Sequence, residues 1–246
     1  MTRTLEQAAA EASSCTKCRL AEGRTQVVYG VGAPDADLLF IGEGPGFHED
    51  KQGEPFVGAA GQLLTKMLQG IGLERSDVYI ANIVKCRPPG NRDPQPDEIE
   101  ACTPWLVEQI SLIQPRVVVT LGNFATKFVL NTSTGITRLR GQVHDWHGRT
   151  VIPTFHPAAI LHGGGERSRQ YQLLKDDFAL VLSTLEDPAT PEAPEAPEPA
   201  MPAGEPTKPE PARAVLEATA TASTPGLTDR IVVPETDPAD EQLELF

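Results

Sequence analysis

A succession of short apolar stretches, spaced by helical patterns, limits this fold more than any other feature of the sequence. Residues 37–41 (DLLFI), 78–84 (VYIANIV), 117–121 (VVVTL) and 151–154 (VIPT) have the length and the β-branched or aromatic content of buried strands. Between and after them, residues 58–70, 95–113, a segment ending near Leu130, and 167–184 read as helices, with Pro104 marking a kink in the second. Strands alternating with helices indicate an α/β layered fold built on a parallel sheet. Residues 151–154 are expected at a sheet edge, because Pro153 has no amide to donate. In such sheets ligands gather at the carboxyl ends of the strands. Three unusual polar segments fall there: Gly42-Glu43-Gly44-Pro45-Gly46 after the first strand, Asn82 late in the second, and Phe155-His156-Pro157 after the fourth. Chain topology alone makes them one site.

The alternation stops near residue 185. Residues 186–246 hold 14 acidic residues against 3 basic ones, which is most of the chain's net charge of −13, and 12 of its 23 prolines. Such a segment buries too little apolar surface to fold. We therefore expect a globular domain over 1–185, a disordered acidic Pro/Ala/Glu linker over 186–240, stiffened at PEAPEAPEP (191–199), and a distinct terminal peptide over 241–246. The domain itself is close to neutral, so the acidity of the whole chain does not argue against binding a polyanion. No apolar run approaches the ~20 residues of a membrane span, and the N-terminal MTRTLEQAAAEASSC lacks the apolar stretch of a signal peptide. A cytoplasmic protein is expected, in a compartment where disulfides are rare.

The four cysteines are Cys15, Cys18, Cys86 and Cys102, spaced C-x2-C, then 67 residues, then C-x15-C. In a reducing compartment this pattern points to metal before disulfide. A C-x-x-C redox pair normally sits at the end of a strand in a βαβ unit, and this one precedes the first strand. Four thiolates suit tetrahedral zinc or an iron–sulfur cluster equally, and spacing does not choose. Either would staple three distant segments together.

Gly42–Gly46 is too interrupted by proline for a dinucleotide fingerprint and lacks the Lys-Ser/Thr of a P-loop. Its glycines let backbone amides approach a flat polar ligand closely. Phe56, between Pro55 and a glycine-led helix, offers a ring face for stacking a base. Asn82 interrupts an apolar strand, and its amide presents the donor and acceptor that match a nucleobase edge. His156, as a neutral imidazole, can donate to a developing oxyanion. Lys85, Arg87, Arg92, Arg138, Arg140, Arg167 and Arg169 make a candidate phosphate-facing stripe.

With these residues in place the chain resembles the family 4, iron–sulfur type uracil-DNA glycosylases. The motifs that carry the resemblance are CTKC (15–18), GEGPGFHEDKQGEPFVGAAGQLL (42–64), NIVKCRPPGNRDPQPDEIEAC (82–102), RLRG (138–141) and FHPAAIL (155–161). The resemblance implies a three-layer α/β/α domain with a small central parallel sheet, and one structural [4Fe–4S] cluster on Cys15, Cys18, Cys86 and Cys102. It implies a uracil pocket floored by Gly42, Glu43 and Gly44. There Phe56 stacks on the base, Asn82 bonds its edge and His156 faces O2. The implied activity is bacterial base-excision repair of deaminated cytosine by a monomer acting on single- or double-stranded DNA. The glycosidic bond breaks, uracil leaves, and an abasic site remains. No lysine nucleophile is implied, so the enzyme is expected to be monofunctional. Better-known families place an acidic residue where this chain has Gly44. Glu43, one position earlier, is the candidate for stabilising the cationic transition state or positioning water, with Glu49 and Asp50 as alternatives. Arg87, Arg138, Arg140, Arg167 and the wedge candidate Leu161 are the expected DNA contacts.

Two features depart from the family pattern. Some relatives trap uracil-DNA covalently through a histidine in an extra basic loop, whereas RPPGNRDPQP (87–96) contains neither, so turnover is expected. A glycine run, Gly163–Gly165, follows FHPAAIL before the next basic residue. The chain ends in Glu241-Gln242-Leu243-Glu244-Leu245-Phe246, which resembles the peptide with which bacterial proteins bind the DNA polymerase sliding clamp. Gln242, Leu243, Leu245 and Phe246 are the expected clamp contacts. Ile231-Val232-Val233 is a lone apolar patch to which the sequence gives no purpose. The rivals to a glycosylase are a non-catalytic uracil- or damage-binding protein of the same fold, and a zinc-stabilised adaptor recruited by the clamp.

Overall fold

The computed structural model describes residues 3–191. The linker beyond residue 191, Ile231–Val233 and the terminal peptide 241–246 lie outside the described residues. In chain order the elements are α1 (Leu5–Ser13), α2 (Leu20–Gly23), β1 (Val31–Gly32), β2 (Leu38–Gly42), α3 (Phe47–Gln52), α4 (Ala59–Gly70), β3 (Tyr79–Asn82), α5 (Pro96–Ile113), β4 (Val117–Leu121), α6 (Gly122–Val129), α7 (Ile136–Leu139), β5 (His144–Trp146), β6 (Arg149–Thr154), α8 (Pro157–His162) and α9 (Arg169–Glu186). The strands form one sheet in the order β1-β3-β2-β4-β6-β5.

Period-two alternation in the strands builds two cores. Leu39 and Ile41 of β2, Ala81 of β3 and Val118 of β4 face α1, α5 and α6, meeting Ala8, Trp105, Ile110 and Ala125. Leu38, Phe40, Ile80 and Val119 face the other way, onto Leu64 and Leu68 of α4 and Leu174 and Phe178 of α9. The result is the expected three-layer α/β/α domain. Strand β2 is flanked by β3 and β4, both parallel to it, so the winding direction reverses there and a crevice opens at its carboxyl end. Among the described residues no helix is long and apolar enough to cross a membrane.

Several expectations need correction. The sheet is mixed, because β1 and β5 close its two edges as antiparallel strands. β6 is an interior strand, with β4 on one side and β5 on the other. Proline is tolerated there because β5 pairs no further than Val151, leaving no partner for the amide Pro153 lacks; its carbonyl accepts from Gly141 N at 3.1 Å. α5 runs unbroken through Pro104, which lies on the solvent face, where the carbonyl freed by the proline is not buried. The fold also continues past residue 185. Thr190 is buried, its hydroxyl donating to Thr184 O at 2.5 Å and its carbonyl accepting from Arg116 Nη2 at 3.2 Å.

Candidate active site

The carboxyl ends of β2, β3 and β6 converge on a cleft of about 430 Å³ lined by Glu43, Gly44, Glu49, Phe56, Asn82 and His156. Gly42 lies directly beneath. A Cβ there would stand 2.3 Å from Asn82 Oδ1 and 2.8 Å from the Phe56 ring, so no side chain fits at the floor. The three polar segments that topology assigned to one place are in one place.

Phe56 is held in the left-handed region at φ +54°, a conformation costly for an aromatic residue unless its surroundings impose it. Three contacts do so. Glu49 Oε1 accepts the amides of Val57 and Gly58 at 3.0 and 3.1 Å. Arg75 donates to the carbonyls of Pro55 and Phe56 at 2.8 and 3.3 Å. Gly61, in the first turn of α4, lies so close that a Cβ would come within 1.6 Å of Phe56 O. The Phe56 ring ends 5.6 Å from the His156 ring, tilted 31° from it.

His156 caps α8. Its Nδ1 accepts from Ala158 N at 3.2 Å, which leaves Nε2 to carry the proton of the neutral ring. Burial lowers its pKa to about 4, with Glu49 pulling weakly the other way. His156 is therefore a neutral donor at physiological pH. Asn82 lines the cleft, and its buried Oδ1 is an unmet acceptor, with no hydrogen-bond partner among the described residues. Glu43 is half-buried, and burial, followed by the charge and hydrogen bond of nearby Asp93, raises its pKa to about 7.

The alternatives to Glu43 separate. Glu49 lines the cleft, whereas Asp50 is buried with its carboxylate on Thr25 N at 2.8 Å and takes no part in it. Sequence reasoning missed Asn91 and His162 on the cleft wall; the only hint of the first was the turn-forming Pro-Pro-Gly-Asn. It took Arg92 for a phosphate contact. Arg92 lines the wall too, but both ends of its guanidinium pair with the fully buried Glu98 at 2.6 and 2.9 Å.

The basic stripe shrinks accordingly. Lys85 is buried, and Arg140 is locked against the buried Asp177 and donates to Leu173 O at 2.8 Å. Both are committed to partners within the domain. Arg138, Arg167 and Arg169 are exposed. Arg87 donates to Asn91 Oδ1 at 2.6 Å and lies over the exposed ring of Phe47. Leu161 is 40% exposed, one residue from His162 at the rim.

On the α1/α5 side of the sheet, Cys15, Cys18, Cys86 and Cys102 line one small, largely apolar cavity. Arg24 Nη1 donates to Cys15 O at 2.6 Å and to Cys86 Sγ at 3.5 Å, and Lys85 N donates to Cys102 Sγ at 3.2 Å. Burial pushes the Cys86 thiol up to about 11 and raises that of Cys102. Among the described residues no three Cys, His, Asp or Glu side chains converge closely enough to hold a single ion.

Comparison with known proteins places the cleft in a family. The profile of the uracil DNA glycosylase superfamily matches residues 29–179. The chain belongs to that superfamily. A type-4 uracil-DNA glycosylase of Sulfurisphaera tokodaii is 47% identical over 184 residues, covering 71% of this chain and 82% of the relative. Type-4 uracil-DNA glycosylases of Archaeoglobus fulgidus and Thermotoga maritima are each 49% identical, over 167 and 161 residues, covering 65% of this chain and 84% of each relative. As a superfamily member the chain has the expected fold, and every segment of the cleft lies within the matched residues.

Proposed function

We propose that this chain is a monofunctional uracil-DNA glycosylase, hydrolysing the N-glycosidic bond of deoxyuridine in DNA to leave uracil and an abasic site. The observation that carries the reading is the unmet, buried Asn82 Oδ1 beside the Phe56 ring and the neutral His156. A buried acceptor without a donor is costly, and the N3–H of a flipped uracil supplies that donor while its ring stacks on Phe56. Bond cleavage leaves negative charge on the departing uracil. His156 Nε2–H, already neutral and fixed by its Nδ1 contact, donates to that charge at O2, a contribution of about 3 kcal/mol. Gly42 and Gly44 leave the backbone bare beneath the base. Glu43, in its carboxylate form, faces the oxocarbenium side of the sugar and orients the water that adds there. RPPGNRDPQP offers no histidine to trap the sugar, so the product is released.

The cysteine cavity supports a [4Fe–4S] cluster held by Cys15, Cys18, Cys86 and Cys102. Four cysteines lining one apolar cavity, with N–H groups of Lys85 and Arg24 aimed at Cys102 and Cys86, are the donor set that thiolate ligation of a cluster needs. When bound, the group ties α1, the segment after β3 and α5 together. At the rim, Leu161 is the wedge for the vacated stack, and Arg87, Arg138 and Arg167 are the phosphate contacts. The terminal Gln242, Leu243, Leu245 and Phe246 dock on a bacterial sliding clamp, which would bring a monomeric repair enzyme to newly copied DNA.

The test is excision on a 5′-labelled oligonucleotide with one uracil, single- and double-stranded, with and without alkali. Strand scission only after alkali is the expected result. No product from an iron-replete preparation would leave the non-catalytic binding reading in its place.

A further inference from the structure

Lys85 lies between the thiol cavity and the cleft and lines only the former. It is 1% exposed and has no carboxylate partner among the described residues. Its backbone belongs to the cysteine side, with N donating to Cys102 Sγ at 3.2 Å and O accepting from Val28 N at 2.8 Å. Its side chain turns back by three residues. The ammonium donates to the carbonyl of Asn82 at 2.7 Å and to Gln109 Oε1 at 2.5 Å. Gln109 in turn donates to Tyr29 O at 2.8 Å and to the Tyr79 hydroxyl at 3.2 Å, and the Tyr29 ring lies 5.7 Å from the ammonium. A buried ammonium is expensive, and an apolar side chain of the same length would fill this space at lower cost. Its presence calls for a task that only a donor performs.

The sheet shows the task. On one side of β3, Asn82 is in register with Gly42, and Ile83 N donates to Gly42 O at 3.0 Å. On the other side β1 pairs only with Tyr79 and Ile80, so no strand reaches the carbonyl of Asn82. The ammonium stands where a neighbouring strand would. It thereby fixes the 82–83 peptide and the direction in which the Asn82 carboxamide leaves the strand end.

We propose that Lys85 is a positioning residue for uracil recognition, a one-residue substitute for an absent strand that orients Asn82 from an anchor on the cysteine side. The inference rests on the reading of Asn82 as the group that bonds the base edge.

The experiment compares the full-length wild-type chain with Lys85→Met in iron content, kcat and KM on uracil-containing DNA, and inhibition by free uracil. Iron per chain should not change, because the amide that serves Cys102 remains. KM should stay within about twofold while kcat falls at least about tenfold, equivalent to about 1.4 kcal/mol. The inhibition constant for uracil should weaken by about fivefold or more. A lysine that merely stabilised the fold would lower the melting temperature and the active fraction, and would leave kcat per active molecule and the uracil inhibition constant at wild-type values. That result overturns the proposal. If Lys85→Met does not fold, Gln109→Met keeps the ammonium but removes its second acceptor; weaker uracil inhibition of about threefold supports the proposal, and an unchanged constant overturns it. If the wild-type chain neither excises uracil nor is inhibited by it, the reading of Asn82 fails first, and the proposal with it.

Discussion

A hydrogen-bond donor that does not titrate near neutral pH gives a steady hand to a departing anion, and His156 is built that way. Its pKa of about 4 predicts no loss of rate from its own protonation anywhere above pH 5 or so. The same shift bears on stability. The imidazole titrates near 6.5 in the unfolded chain and near 4 when buried. As pH falls between these values the unfolded state takes up the proton first, so stability is lost over that window. His156→Ala and Asn82→Ala should each cost well over tenfold in single-turnover rate, about 1.4 kcal/mol or more; near-normal rates in both would remove the pocket as described. Glu43 behaves oppositely. With a pKa raised to about 7 by burial and Asp93, its carboxylate form grows in as pH rises through neutrality, and rate should rise with it. Asp93→Asn takes away a like charge and should move that midpoint down. Glu43→Gln should flatten the rise and lower the rate; full turnover by that variant would end the assignment of Glu43 as the water-orienting group.

At the scale of elements, the strained loop ahead of α4 is the part most sensitive to a small change. Gly61→Ala puts a methyl group against Phe56 O, where backbone rather than a flexible side chain must yield. A loss of stability of at least about 2 kcal/mol is expected, read by thermal or chemical unfolding, together with weaker uracil binding because Phe56 shifts. This was not legible beforehand, since the sequence shows a glycine in a helix but not what lies 1.6 Å away. What was legible had a strong local signature. The four apolar strands stood out, and so did Asn82 because it broke one of them. β1 and β5 were missed because one is two residues long and the other, His-Asp-Trp, is mostly polar; only the neighbouring strand makes either of them a strand. Pro153 misled for a related reason. A missing donor argues for an edge only where a neighbour needs that donor, and β5 stops two residues short. Lys85 and Arg140 misled because a charge in a sequence does not announce its partner, here a strand-end carbonyl and a buried aspartate.

For the molecule as a whole, charge is divided by region rather than mixed. The domain presents exposed Arg138 and Arg167 on a nearly neutral body, while the acidic segment follows it in the chain. Arg138→Ala and Arg167→Ala should raise KM for DNA and make its dependence on salt shallower by about one counterion each, with little change in kcat. Removal of residues 241–246 should leave excision on naked oligonucleotides intact and abolish association with a sliding clamp in a pull-down; clamp affinity that survives the deletion would discard the terminal peptide as the docking element.

The four cleft residues Glu43, Phe56, Asn82 and His156 enter the chain over more than a hundred positions, and all four cysteines precede the last of them. A ribosome has therefore made all four cysteines by Cys102, while the imidazole and the helix it caps are still to come. On the cluster reading, a chain ended between Cys102 and His156 carries every proposed ligand thiol but lacks the proposed donor to the leaving uracil.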